Sequence, residues 1–224
     1  MARPDPHSYH DDSQPRASSF ALRLACDFAR HVLSGTVTLY FGTDAAGPLD
    51  LDSRALSVAR VVDDRGRVVP FRIEEDDPIL GQRLRLELAP GTRGVTLTYE
   101  TSPEAIGLQW LDPAQTAGKR HPFLFSQCQA IHARTVAPLQ DTPLVRLPYR
   151  AEITVPAALT AVMAAGPAGL QAGPDPGTTT FLFDMPQPIP PYLLALAVGD
   201  LASRDLSPRS RVWAEPEAVE AAAW

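Results

Sequence analysis

Arg83-Leu84-Arg85-Leu86-Glu87-Leu88 alternates a charged side chain with leucine at every step. Period two is the spacing of a β-strand, whose successive side chains point to opposite faces, so one face of this segment meets solvent and the other a core. The same rhythm recurs upstream. Phe20, Leu22, Leu24 and Cys26 fall on one side of a predicted strand, and Ala21, Arg23, Ala25 and Asp27 on the other. Val37, Leu39 and Phe41 oppose Thr36, Thr38 and Tyr40 in the next.

Further short strands are predicted at Leu49–Leu51, Leu56–Val62, Val68–Ile73, Gly94–Tyr99, Phe123–Phe125, Leu144–Val155, Leu159–Ala164, Thr178–Phe183 and Tyr192–Val198. Turn chemistry separates them: Gly42 to Pro48, Asp63-Asp64-Arg65-Gly66, Asp76-Asp77-Pro78 and Ala89-Pro90-Gly91. Ser102 to Pro122 reads as an irregular excursion, and Gly166 to Gly177 as a mobile hairpin loop. Met185 to Pro191 holds four prolines, which cannot donate to a ladder, so it reads as an extended connector. No helical periodicity spans fifteen residues in the first two hundred. The pattern is all-β, with mostly antiparallel strands joined by short links.

Three parts are expected: a polar N-terminal tail at 1–17 lying extended against the domain, an all-β domain at 18–213, and the start of a further domain at 214–224. In the last, Pro216 suits a first helical turn and Glu215, Glu217 and Glu220 suit its N-terminal dipole.

Composition sets limits on function. The chain has 224 residues, 45% hydrophobic, enough for one substantial core, and a net charge of −6 that gives no hint of nucleic acid. Its 19 arginines are scattered; Arg134, Arg146 and Arg150 come nearest to a patch, and solvated strand faces account for them most simply. The longest apolar run, Tyr192 to Val198, is too short to cross a bilayer, so no membrane partner is expected. Cys26 and Cys128 lack metal or redox spacing and point to a reducing, cytoplasmic setting, while a single bridge between them stays open. The tail carries no apolar leader.

Familiar catalytic signatures are missing. No nucleophile elbow, phosphate loop, dinucleotide fingerprint or His-Glu-x-x-His occurs. His7 and His10 are weak ligands without two more partners, and Cys128 has no evident base to lower its pKa. His132 falls where it could line a cleft, with a satisfied polar contact as the plainer reading.

What remains is a polar run: Gln127-Cys128-Gln129-Ala130, then Arg134, Pro138, Gln140-Asp141-Thr142-Pro143 and Tyr149. Buried amides need partners, so this reads as a shaped loop or edge strand rather than core. Together with Leu108-Gln109-Trp110-Leu111, His121 to Ser126, Pro188 to Leu196, Val198-Gly199, Asp5 to Tyr9 and the Asp27 to Gly35 strand pair, it resembles the N-terminal domain of zinc aminopeptidases of peptidase family M1, in the leukotriene A-4 hydrolase/aminopeptidase B branch. The resemblance covers effectively the whole chain.

That resemblance implies a saddle-shaped, multi-sheet, sandwich-like β-domain forming one wall of a substrate cleft. It implies that Gln129 holds the free α-amine of a peptide, that Gln127 and Cys128 belong to the same substrate-binding run, and that Ala130 lines the pocket for the first side chain. A glutamine carbonyl accepts from an ammonium without adding a counter-charge. It further implies that the partners are a peptide with a free N-terminus and the parent's own catalytic domain, and that the zinc cofactor of the parent is held outside this chain, leaving no catalytic or metal residue here. Two other readings are a non-catalytic protein-interaction scaffold of the same shape and a carbohydrate-binding β-sandwich. The latter would need exposed aromatic platforms, and only Trp110, Trp213 and Trp224 are available.

Overall fold

A computed structural model describes residues 5–224; the first four residues of the predicted tail lie outside the described residues. Among the described residues the chain is nearly all β. The large sheet is built on β1 (Ser19–Asp27), β2 (Val32–Ser53), β3 (Ser57–Asp63), β4 (Phe71–Ile73) and β5 (Gln82–Glu100). It is completed by β8 (Leu147–Pro156), β10 (Gly166–Ala172) and β11 (Thr178–Ile189), in the order β10-β11-β8-β1-β2-β5-β3 with β4 also on β5. A second sheet runs β6 (Leu108–Leu111), β7 (Phe123–Ser126), β12 (Leu196–Gly199) and β9 (Thr160–Met163) in the order β6-β7-β12-β9. A hairpin of β13 (Ala202–Ser207) and β14 (Ser210–Ala214) follows.

The alternation read from the sequence is realised. Phe20, Leu22, Leu24, Val37, Leu39, Val95, Leu97, Leu84 and Leu86 are buried, while Arg23, Tyr40, Thr98 and Glu87 face outward. Hydroxyls pair across the outer face, Thr38 to Thr96 at 2.9 Å and Thr154 to Thr180 at 2.8 Å. The inner face meets Leu124, Ala161, Leu196 and Val198 of the second sheet in one continuous core. Tyr149 stacks on Phe20 at 5.1 Å and donates its hydroxyl to Ala164 O, tying the two layers. Pairing is antiparallel throughout except for β1 with β8, which run parallel.

Several expectations change. Gly42 to Pro48 is not a reversal but the middle of β2, whose register against β5 shifts on both sides of Ala45. Gly47 takes a φ of +81°, so the strand bends and continues. Ala89-Pro90-Gly91 is likewise a bulge inside β5, closed by Thr92 Oγ1 donating to Ala89 O. Turn-forming residues also make bulges, and only the partner strand decides between the two. Gly166 to Ala172 pairs as β10 rather than looping freely. In β11 the pairing to β8 stops at Met185 and resumes at Ile189, skipping Pro186 and Pro188 as their missing N–H groups require. Tyr192–Val198 narrows to β12, because Pro191–Leu193 forms a 3₁₀ turn first.

The C-terminal segment ends in the short helix α1 (Val219–Ala222), with Val219 buried. Glu215 carboxylate oxygens accept from Ala117 N and Gly118 N at 2.9 and 3.2 Å, and Arg120 pairs with Glu217 at 2.9 Å. The segment is thus tied back onto the β-domain.

Candidate functional site

β7 delivers the chain into a tight turn. Ser126 Oγ accepts from Leu196 N, Gln127 N donates to Gly107 O at 2.9 Å, and His132 N closes the turn on Cys128 O at 2.8 Å. Within it the Gln129–Ala130 peptide is cis. Gln127, Gln129 and Ala130 are exposed, whereas the Cys128 side chain is 1% exposed and packs into the core.

The two glutamines differ in what their amides do. Gln127 Oε1 accepts from Gln129 N at 3.1 Å, so its carbonyl braces the turn and its NH₂ faces outward. The Gln129 amide makes no hydrogen bond among the described residues and is presented to solvent. An exposed, unpaired amide on a braced backbone is able to accept from a ligand ammonium with little side-chain reorganisation beyond its own rotamers.

Cys128 is not available for chemistry. Burial, with a smaller contribution from the Asp141 carboxylate, pushes its thiol up to about 12. Cys26 is also free and pushed up to about 12 by burial, so no bridge joins them. His132 Nδ1 is buried without a partner among the described residues, in place of the satisfied contact expected from sequence. Burial, then Arg54 and Arg134, holds its pKa below the ordinary value, leaving a neutral imidazole at pH 7.

The segment after the turn corrects the sequence reading. Ala133 to Thr142 is buried throughout, where a loop or edge was expected. Its polar groups are satisfied by the N-terminal segment, which sequence reading left on the surface. Gln140 Oε1 accepts from Ala17 N, and its Nε2 donates to Pro15 O at 3.1 Å and lies 3.1 Å from His10 Nδ1. Thr142 Oγ1 donates to Asp5 at 2.6 Å.

Arg134 is not part of a solvated patch. It is fully buried, while Arg146 and Arg150 are exposed. Its Nε donates to Asp141 Oδ2 at 3.0 Å, Nη1 to Leu80 O at 2.8 Å, and Nη2 to His7 O at 2.8 Å and Asp141 O at 3.0 Å. Asp52 Oδ1 lies 3.6 Å from Nη1. Asp52 in turn accepts from Ser8 Oγ at 2.6 Å, Tyr9 N at 2.8 Å and Asp141 N at 2.8 Å. Sequence reasoning missed this cluster because its partners lie far apart in the chain. Among the described residues no group of three or more His, Cys, Asp or Glu side chains converges as metal ligands would.

Residues 6–193 match the family model described as the peptidase M1 N-terminal domain. The chain belongs to peptidase family M1, as its N-terminal domain. It is 36% identical to the leukotriene A-4 hydrolase of Xenopus laevis, over 96% of this chain and 37% of that protein. It is 48% identical to aminopeptidase B of Rattus norvegicus over 63% of this chain and 19% of that protein. Among solved structures, native leukotriene A4 hydrolase of Saccharomyces cerevisiae superposes with a TM-score of 0.87 at 30% identity, covering all of this chain and 36% of that one. The M1 zinc metallopeptidase of Deinococcus radiodurans, at 22% identity and a TM-score of 0.68, shares the fold. This M1 N-terminal domain spans little more than a third of the Xenopus and yeast relatives.

Proposed function

We propose that this M1 N-terminal domain is the substrate-recognition part of a zinc-dependent aminopeptidase, with Gln129 receiving the free α-amine of a peptide. The observation that carries the reading is the contrast within the turn: the Gln127 carbonyl is spent on the Gln129 backbone, while the Gln129 amide is exposed and unpaired. The amine donates to Gln129 Oε1, and the outward NH₂ of Gln127 is free to donate to a peptide carbonyl. Ala130, small and exposed beside them, borders the space for the first side chain. Cys128 supports the turn from the core side rather than touching substrate.

Peptide hydrolysis itself belongs to polypeptide beyond these residues. Names of the relatives support this reading: they include a leukotriene A-4 hydrolase, an aminopeptidase B and M1 zinc metallopeptidases. Absence of His-Glu-x-x-His from these residues supports it as well. Two measurements test the proposal. The 224-residue chain is expected to leave aminoacyl arylamides intact with or without added zinc, and the gene is expected to encode His-Glu-x-x-His downstream of Trp224. Zinc-dependent turnover by the isolated chain, or a stop codon after Trp224, overturns the proposal.

A further inference from the structure

The recognition turn is held at both ends, and the two anchors differ. At one end Gly107 grips it twice, accepting from Gln127 N and donating to Thr135 Oγ1 at 3.1 Å. Thr135 Oγ1 donates in turn to His132 O at 2.7 Å. At the other end the 3₁₀ turn Ala133–Thr135 carries Arg134 inward. Four directed N–H contacts of that one guanidinium reach three separate segments: the Asp141 loop, the carbonyl of Leu80 and the carbonyl of His7. The backbone of the same residue accepts from Arg54 N at 3.0 Å.

We propose that Arg134 is a positioning residue for the recognition turn, and that Asp5 to Tyr9 is the opposing jaw of the clamp that fixes it. This rests on the reading of Gln129 as the amine acceptor. An isolated buried arginine is unfavourable, and here two carboxylates and three backbone carbonyls meet it. One of those carbonyls, and the Ser8 hydroxyl and Tyr9 N–H that satisfy Asp52, come from the N-terminal segment. If that segment undocks, Arg134 loses His7 O and Asp52 loses two donors. The buried charges then rearrange five residues beyond Gln129. Lysine cannot substitute, because a single ammonium does not span the directions in which the planar fork donates.

The test separates positioning from mere stability. In the full-length gene product, Arg134→Lys and Ser8→Ala are each combined with Gln129→Ala. A fold that is only weakened loses active enzyme at constant KM. A displaced Gln129 raises KM for aminoacyl arylamides, here by roughly tenfold, below the roughly hundredfold that a 1 Å misplacement can cost. That increase is expected to vanish in the Gln129→Ala background, since both changes act on one contact. Additive effects, or an unchanged KM, overturn the proposal.

Amide exchange on the 224-residue chain gives a readout independent of activity. Ser8→Ala is expected to speed exchange at His132 and Thr135 while leaving β1 unchanged; equal protection overturns the clamp. Should the wild-type gene product fail to hydrolyse peptides, the amine-acceptor reading falls, and the exchange experiment still decides whether the N-terminal segment holds the turn.

Discussion

Arg134 Nε lies 3.0 Å from Asp141 Oδ2, and neither side chain reaches solvent. Removing one partner of a buried pair leaves the other charge uncompensated, which costs about 3–5 kcal/mol. Arg134→Met is therefore expected to lower the urea midpoint sharply without adding activity or ligands. A loss under about 1 kcal/mol, the range of an exposed pair, would show that the cluster is solvated in solution.

Asp50 and Asp52, two apart on β2, are expected to titrate in opposite directions. Burial acts to raise Asp50, yet hydrogen bonds from Arg85 and Gln14 outweigh it and hold the carboxyl below its ordinary value. A depressed acid stabilises the fold above its unfolded pKa, about 3.9, and that stabilisation is lost as pH falls below it. Asp52 is pushed up to about 6 by burial, against the Arg134 charge and the Ser8 and Tyr9 hydrogen bonds. Its contribution is complete below about pH 4 and is lost as pH rises through about 6. Carboxyl-carbon NMR titration checks both; Asp52 ionising at or below Asp50 contradicts the burial argument.

Both thiols are expected to resist modification in the native state. Cys26 and Cys128 are buried and their pKa values are pushed up to about 12, so almost no thiolate forms at pH 8. Disulfide-exchange reagents should label neither until denaturant is added, then label both. Rapid native labelling of one cysteine would place it at a surface this fold does not have.

Gln129→Ala separates binding from stability. The side chain is exposed and unpaired, so the unfolding free energy should change by less than about 0.5 kcal/mol. In the full-length enzyme, losing a hydrogen bond to a charged amine is worth about 1.5–3 kcal/mol, a fall in kcat/KM of about 10- to 150-fold. Unchanged kcat/KM would remove Gln129 from the site.

Two glycines report on close approach. A Cβ at Gly35 would lie 1.9 Å from Arg23 O, and at Gly107 2.5 Å from Thr135 Oγ1 and 2.9 Å from His132 O. Gly35→Ala is expected to destabilise β1 against β2, and Gly107→Ala to disturb the turn that carries Gln127 and Gln129 as well. Overpacking of this kind costs about 1–3 kcal/mol, readable by thermal unfolding. A neutral Gly107→Ala would mean that the turn has slack.

How much of this was legible in the sequence follows from the range of each interaction. Phe20 to Cys26 reads correctly because period two is local, and Asp63 to Gly66 turns because its own side chain and glycine suffice. Gly42 to Pro48 and Ala89 to Gly91 read as reversals because nothing local reveals a partner strand that carries them through. Arg134 and Gln140 read as surface because the donors and acceptors that complete their bonding, at His7, Pro15 and Ala17, are more than a hundred residues away. Gln127 and Gln129 are chemically identical on paper. Only the fold separates the amide that braces the turn from the one left unpaired.

The contact between Arg134 and His7 closes late in synthesis. His7 leaves the ribosome 127 residues before the arginine that holds its carbonyl. At about 5–20 residues per second, that leaves the His7 carbonyl without its arginine for some 6–25 s. Ser8 and Tyr9 can meet Asp52 as soon as β2 has emerged, whereas the His7 carbonyl has no guanidinium to accept from until Arg134 is made.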